Sequence, residues 1–170
     1  LLHSYKKEIH YTTRYLQEKY MHGRKLVLKD ILHQDGGGEI SNNIKWIVID
    51  WWRKRKSDII VCFDMTNKIS MGRTNTEQFC KTDANITLTI GDVSDNYNDG
   101  AILIPGGNYF IYKFHGTWEE YVIYARTIYV KTMSKMNLKL KRSPIYIRFL
   151  YKYSNIDDHV ECTIYSPIQS

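Results

Sequence analysis

The side chains in this sequence that could carry catalysis are scattered rather than grouped. Its histidines, His3, His10, His22, His33, His115 and His159, share no spacing. No pairing of Cys and His of the kind that holds zinc occurs, nor a serine at a Gly-x-Ser-x-Gly turn, nor two His one helical turn apart with a Glu between them. Gly36, Gly37 and Gly38 are not followed by the Lys-Ser/Thr of a phosphate-cradling loop. Cys62, Cys80 and Cys162 are an odd number without metal-like spacing, which points to reduced thiols and a cytoplasmic location. Glu120 stands three positions after Thr117, the spacing of a helix capping box, so its carboxylate is assigned to a helix end rather than to proton transfer. The expectation is a binding domain and not an enzyme, with no cofactor and no metal.

Aromatic surface is what the sequence offers instead. Tyrosine occurs 14 times and tryptophan 4 times in 170 residues, and 43% of the chain is hydrophobic. Such a composition supports a substantial core, either simply rich in aromatics or built around an aromatic-lined cavity for a small molecule. The segments 109–114 and 145–151 sharpen the choice, because apolar or aromatic residues occupy both of their faces. A sheet with helices on one side and water on the other should be polar on its second face. Either other parts of the protein cover that face, or it lines a ligand cavity.

The formal net charge of +6 favours an acidic partner. Two basic clusters carry much of it: Arg53 to Lys56, and the acid-free stretch 131–152 with Lys131, Lys135, Lys139, Lys141, Arg142, Arg148 and Lys152. Solvated surface and phosphate contact are both open for them, although cations at the end of a helix also answer its dipole. No apolar run approaches the roughly 18 residues that span a membrane, and no signal peptide is apparent, so no membrane partner is expected.

The elements that must position these residues can be read from periodicity. Residues 4–20 carry Tyr5, Ile9, Leu16 and Tyr20 among polar neighbours and predict a helix broken at Gly23. A strand is predicted over 25–31 and a flexible loop over 34–38. A helix from the N-cap candidate Ser41 to about Lys56 should bury Ile44, Ile47, Val48 and Trp51. Strands are predicted over 59–63 and 68–73, and over 84–90, where apolar residues alternate with Asn and Thr. A polar loop then covers 91–100. The order repeats: strands over 101–105 and 109–115, then a helix of about 20 residues from Thr117 burying Trp118, Val122, Ala125, Tyr129, Met133 and Met136. Strands over 145–153 and 160–167 follow, with a turn near 155–158. Two strand–helix–strand–strand units make an α+β domain with helices on one face of a mostly antiparallel sheet.

Pro105-Gly-Gly-Asn-Tyr109, then Phe114-His-Gly116, then Trp118-Glu-Glu-Tyr121 resembles the GyrI-like effector-binding domain. That family shows a Gly-Gly-x-Tyr hairpin, a Phe-x-Gly ending and a helix, and closes on a strand like residues 161–168. The resemblance covers 100–168 closely and 25–91 loosely. It implies a pseudo-twofold domain with a central pocket for an apolar or amphiphilic effector, of the kind attached to AraC/XylS-type and MerR-type transcription regulators. Tyr5-Lys-Lys-Glu-Ile9 and Tyr11-Thr-Thr13 resemble the end of an AraC-type DNA-reading helix, with Thr13 where that pattern has Pro. Within that family the whole chain is similar to Rob-like regulators. The resemblance therefore implies that residues 1–23 are the remnant of a helix-turn-helix domain and linker, that residues 24–170 are the effector-binding domain, and that DNA is met through a region mostly absent from this chain.

For the ligand it implies Trp46, Trp51, Tyr109, Tyr121 and Tyr146 as contacts, with Asp50 or Arg148 setting charge preference. Multidrug relatives place a carboxylate where this chain has Tyr146 or Ile147. Without it a lipophilic cation would rely on ring faces, worth up to about 2 kcal/mol when desolvated. If Arg148 faced the pocket, an anionic amphiphile such as a fatty or bile acid would suit it better. Two other readings are a GyrI-like hydrolase of a reactive small molecule using Glu119, and a gyrase-inhibitor-like domain that meets another protein through its aromatic face.

Overall fold

The computed structural model describes residues 9–31, 38–64, 83–128, 132–141, 143–152, 156 and 159–169. The strands are β1 (Tyr11–Leu16), β2 (Lys19–Ile31), β3 (Ile59–Asp64), β4 (Asp83–Ser94), β5 (Ile102–Ile104), β6 (Gly107–Gly116), β7 (Ile145–Phe149) and β8 (Val160–Pro167). Helix α1 (Gly38–Arg55) lies between β2 and β3, and α2 (Trp118–Thr127) with the single turn α3 (Met133–Lys135) between β6 and β7. The strands form one eight-stranded sheet in the order β1-β6-β8-β7-β3-β4-β2-β5, and every pairing is antiparallel. The α+β architecture expected from the alternating patterns is the one observed.

The duplication is explicit in the pairing. In one half β4 lies between β2 and β3; in the other β8 lies between β6 and β7; and β3 joins β7 at the centre. The curl of the sheet follows from connectivity. β1 and β2 stand near opposite margins yet are joined by Gln17 and Glu18 alone, and β5 and β6 are joined across the same gap by Pro105 and Gly106. The margins must meet where these links cross. At Gly106 a Cβ would sit 3.1 Å from the Glu18 amide nitrogen and 3.2 Å from the Leu16 carbonyl oxygen.

Strand alternation sorts the side chains into two layers. Towards the helices point Phe110, Tyr112 and Phe114 of β6, Ile145, Ile147 and Phe149 of β7, and Ile59 and Val61 of β3, all in the main core with Ile44, Val48 and Trp52 of α1. Towards the inside of the curl point Tyr109, Ile111, Tyr146, Ile60, Cys62, Met21 and Ile104, a second buried cluster. The second, apolar face of the sheet is thus enclosed by the curl of the sheet itself.

Several local expectations are corrected. The segment 9–20 is not helical: Tyr11–Leu16 pairs with β6, and Lys19 onward pairs with β5 and β4. The boundary expected at residue 23 therefore falls inside β2; residues 1–8 lie outside the described residues, as does the strand expected over 68–73. Helix α1 begins at Gly38, three residues before Ser41, and its buried stripe is Ile44, Val48 and Trp52, with Ile47 and Trp51 half-buried beside it. β4 runs to Ser94, into the predicted loop.

The second helix is described over Trp118–Thr127 and, as a further turn, over Met133–Lys135, within the span expected for it; residues 129–131 lie outside the described residues. The capping box forms: the Thr117 amide donates to Glu120 Oε1 and the Glu120 amide to Thr117 Oγ1, each at 3.1 Å. Farther along, the Thr127 hydroxyl donates to the Ile123 carbonyl at 2.8 Å. The buried stripe of α2 is Trp118, Tyr121 and Tyr124, continued by Ile128 just after it; Val122 is half-buried beside it.

Candidate functional site

The inner layer of the curl is the aromatic site. Tyr146 of β7 pairs in register with Tyr165 of β8 and Cys62 of β3, and Tyr109 comes from β6, so four strands meet there. The Tyr146 and Tyr165 rings stack at 4.4 Å between centroids and 13° between planes, and Tyr109 meets Tyr146 edge-on at 6.2 Å. Both geometries are favourable for the ring quadrupoles. The Tyr109 hydroxyl donates to the Pro105 carbonyl at 2.6 Å, tying the layer to the link between β5 and β6. Burial, with a smaller contribution from Cys62, pushes the Tyr109 phenol up to about 12. Burial raises Tyr146 further, helped by Tyr165 and Tyr109 and opposed by Arg148. Both phenols are neutral at physiological pH, so the layer is apolar in its ring faces and offers hydroxyls rather than charge.

Charge enters at the rim. Arg148 follows Tyr146 by two residues on the same face of β7 and is 4.0 Å from Asp58, with both side chains about two-fifths exposed. Asp58 also accepts a hydrogen bond from the Tyr151 amide at 2.8 Å, which holds the carboxylate in place. Tyr165 and Asp58 were missed by sequence reading. Tyr165 lay in the quoted closing strand, but only the β7–β8 register shows that it stacks on Tyr146.

The structure does not bring the expected ligand contacts to one place. Tyr109, Tyr146 and Arg148 share the inner face. Tyr121 lies on the helix side of the sheet, packed against Phe114, Trp118 and Phe149. Trp46 is 65% exposed on the outer surface of α1. Asp50 and Trp51 line a separate groove of about 390 Å³ between α1 and the β2–β4 pair. From α1 the groove takes Ile47, Asp50, Trp51, Lys54 and Arg55, and from the strands residues 22–24 and 90–92. Asp50 is paired with Lys54 at 3.1 Å, half exposed, and so does not supply a carboxylate to the tyrosine layer.

Of the basic clusters, Lys135, Lys139 and Lys141 are exposed, while Arg148 and Lys152 pair with Asp58 and Glu161. Cys62 and Cys162 are buried thiols outside any disulfide. Among the described residues no group of three or more metal-ligating side chains occurs, and no helix is long and apolar enough to cross a membrane.

No protein-family model matches the chain, and no curated protein does. Solved structures do match. A putative bacterial transcription regulation protein from Staphylococcus aureus MU50 superposes with a TM-score of 0.59 at 10% identity, over 96% of this chain and 100% of the other. SAV2435 bound to tetraphenylphosphonium superposes with a TM-score of 0.61 at 12% identity, over 95% and 94%. The chain has a GyrI-like fold. An integron cassette protein from the mobile metagenome of Vibrio cholerae also superposes, with a TM-score of 0.51 at 12% identity, over 94% of this chain and 95% of the other. At these identities it is the fold that is shared, and the GyrI-like expectation drawn from residues 105–121 and 161–168 agrees with it.

Proposed function

We propose that this GyrI-like chain is the small-molecule-sensing domain of a bacterial AraC/XylS-type transcription regulator acting in the cytoplasm. The effector is apolar or amphiphilic and binds against the Tyr146–Tyr165 layer, and DNA is contacted through a helix-turn-helix domain outside this chain. The observation that carries the reading is the buried aromatic face inside a curled sheet, in a fold also adopted by SAV2435, whose structure is bound to tetraphenylphosphonium. Stacked, neutral, pre-packed rings are a low-entropy surface for an apolar body.

The rim pair adds charge selection. An anionic headgroup would compete with Asp58 for Arg148, whereas a cation would gain only ring faces and Asp58. The effector would regulate by binding one arrangement of sensor and DNA-binding domains better than another. A hydrolase reading asks for Glu119 beside a cavity tyrosine. Glu119 is instead exposed at the start of α2, with Tyr121 buried on the core side of the same helix. Calorimetric titration with deoxycholate and with tetraphenylphosphonium tests the proposal. With the titrations run in a Trp51→Ala background, binding of at least one ligand that is lost on adding Tyr165→Ala is the expected result; no heat from either ligand in that background, or heat unchanged by Tyr165→Ala, would overturn it.

A further inference from the structure

The α1 groove is a second site, distinct from the tyrosine layer and on the other side of the sheet. Its volume of about 390 Å³ falls within the range of small-molecule sites, roughly 300–1,000 Å³. Its construction is specific. The floor is bare main chain at Gly23 and Gly91, flanked by the apolar side chains of Ile47 and Ile90. The aromatic wall is Trp51, whose indole N–H donates to Ser57 Oγ at 3.3 Å, which fixes the ring plane.

The charges of the groove are unequal in their commitments. Asp50 is already neutralised by Lys54. The Arg55 guanidinium lies 4.6 Å over the Trp51 ring and forms no ion pair among the described residues. Arg24 likewise has no carboxylate partner among them. Two guanidiniums are therefore open to an acceptor, against the single uncommitted acid Asp92. The cation–π position on Trp51 is also taken, so a cationic ligand would have to displace Arg55 before using the ring. An anion meets no such obstacle and can accept paired N–H donors from a guanidinium.

We propose that this groove binds an amphiphilic monoanion, its carboxylate or sulfonate on Arg55 and Arg24 and its apolar body along Trp51, Ile47 and Ile90. The probe is 8-anilinonaphthalene-1-sulfonate, a planar aromatic monoanion whose fluorescence rises on leaving water. The expected result is saturable binding to the folded protein with energy transfer from tryptophan. Measured in a Tyr165→Ala background, where saturable binding should remain, it should weaken at least about tenfold on adding Arg24→Ala/Arg55→Ala or Trp51→Ala, and weaken with added salt. Arg24 and Arg55 are exposed, so the double variant should fold; matching near-ultraviolet circular dichroism and melting temperature would establish that. Absence of saturable binding in that background, binding unchanged by the groove substitutions, or equal displacement by tetraphenylphosphonium would overturn the proposal. Because each site is tested with the other disabled by substitution, failure here leaves the effector reading standing, and the reverse also holds.

Discussion

Gly23 and Gly91 lie directly opposite each other in the β2–β4 pair, and neither position has room for a side chain. A Cβ on Gly23 would fall 1.9 Å from the Ile90 carbonyl oxygen, and one on Gly91 2.0 Å from the His22 carbonyl oxygen. These obstacles are main chain and cannot rotate away. Gly23→Ala should therefore cost about 3 kcal/mol or more in urea unfolding, and adding Gly91→Ala should deepen the loss rather than rescue it. A Gly23→Ala protein as stable as the parent would show that the two strands are not so closely apposed.

The capping box is a test of local structure alone. Thr117→Ala removes the acceptor for the Glu120 amide, and should lower stability by about 1 kcal/mol. Thr117→Ser keeps the hydroxyl and should stay within a few tenths of the parent. Chemical denaturation of the three proteins side by side separates the cap from the volume of the side chain.

Alkaline pH should report on the inner tyrosine layer. The Tyr109 phenol is raised to about 12 by burial, then by Cys62, above its value in the unfolded chain. The native state thus holds this proton more tightly, so its contribution is complete below about pH 10 and disappears as pH climbs through 12. The linkage is worth about 2–3 kcal/mol for a shift of this size. Stability measured from pH 8 to 12 should fall above pH 10. Tyr109→Phe should reduce that fall while costing about 1 kcal/mol at neutral pH for the lost bond to Pro105. An unchanged alkaline limb in Tyr109→Phe would assign the effect to other tyrosines.

Helix α1 ends on a residue poorly suited to its backbone. Lys56 has φ 52°, in the left-handed region, and its amide closes the last turn on the Trp52 carbonyl at 3.0 Å. Glycine takes this conformation without steric cost. Lys56→Gly should stabilise the protein by roughly 0.5–1 kcal/mol, net of glycine's greater unfolded entropy. The melting temperature reads the sign directly.

Much of the molecule was legible along the chain. The alternation over 84–90, the two-faced apolar strands, the helical spacing of Ile44 and Val48, and the pairing of Thr117 with Glu120 are local patterns. Their period is set by the backbone of the element itself, so they persist whatever packs against them. The repeated order of elements and the motifs at 105–121 were enough to anticipate the GyrI-like fold. Position within the sheet was not local. Residues 11–16 are mostly polar and exposed, and only pairing with β6 makes them a strand. Gly23 and Gly91 look like breaks in sequence, but each is where another strand comes too close for a side chain. Curl and register, which are long-range, placed Tyr146 on Tyr165. They also turned Tyr121 into the core and left Asp50 and Trp51 in a groove of their own.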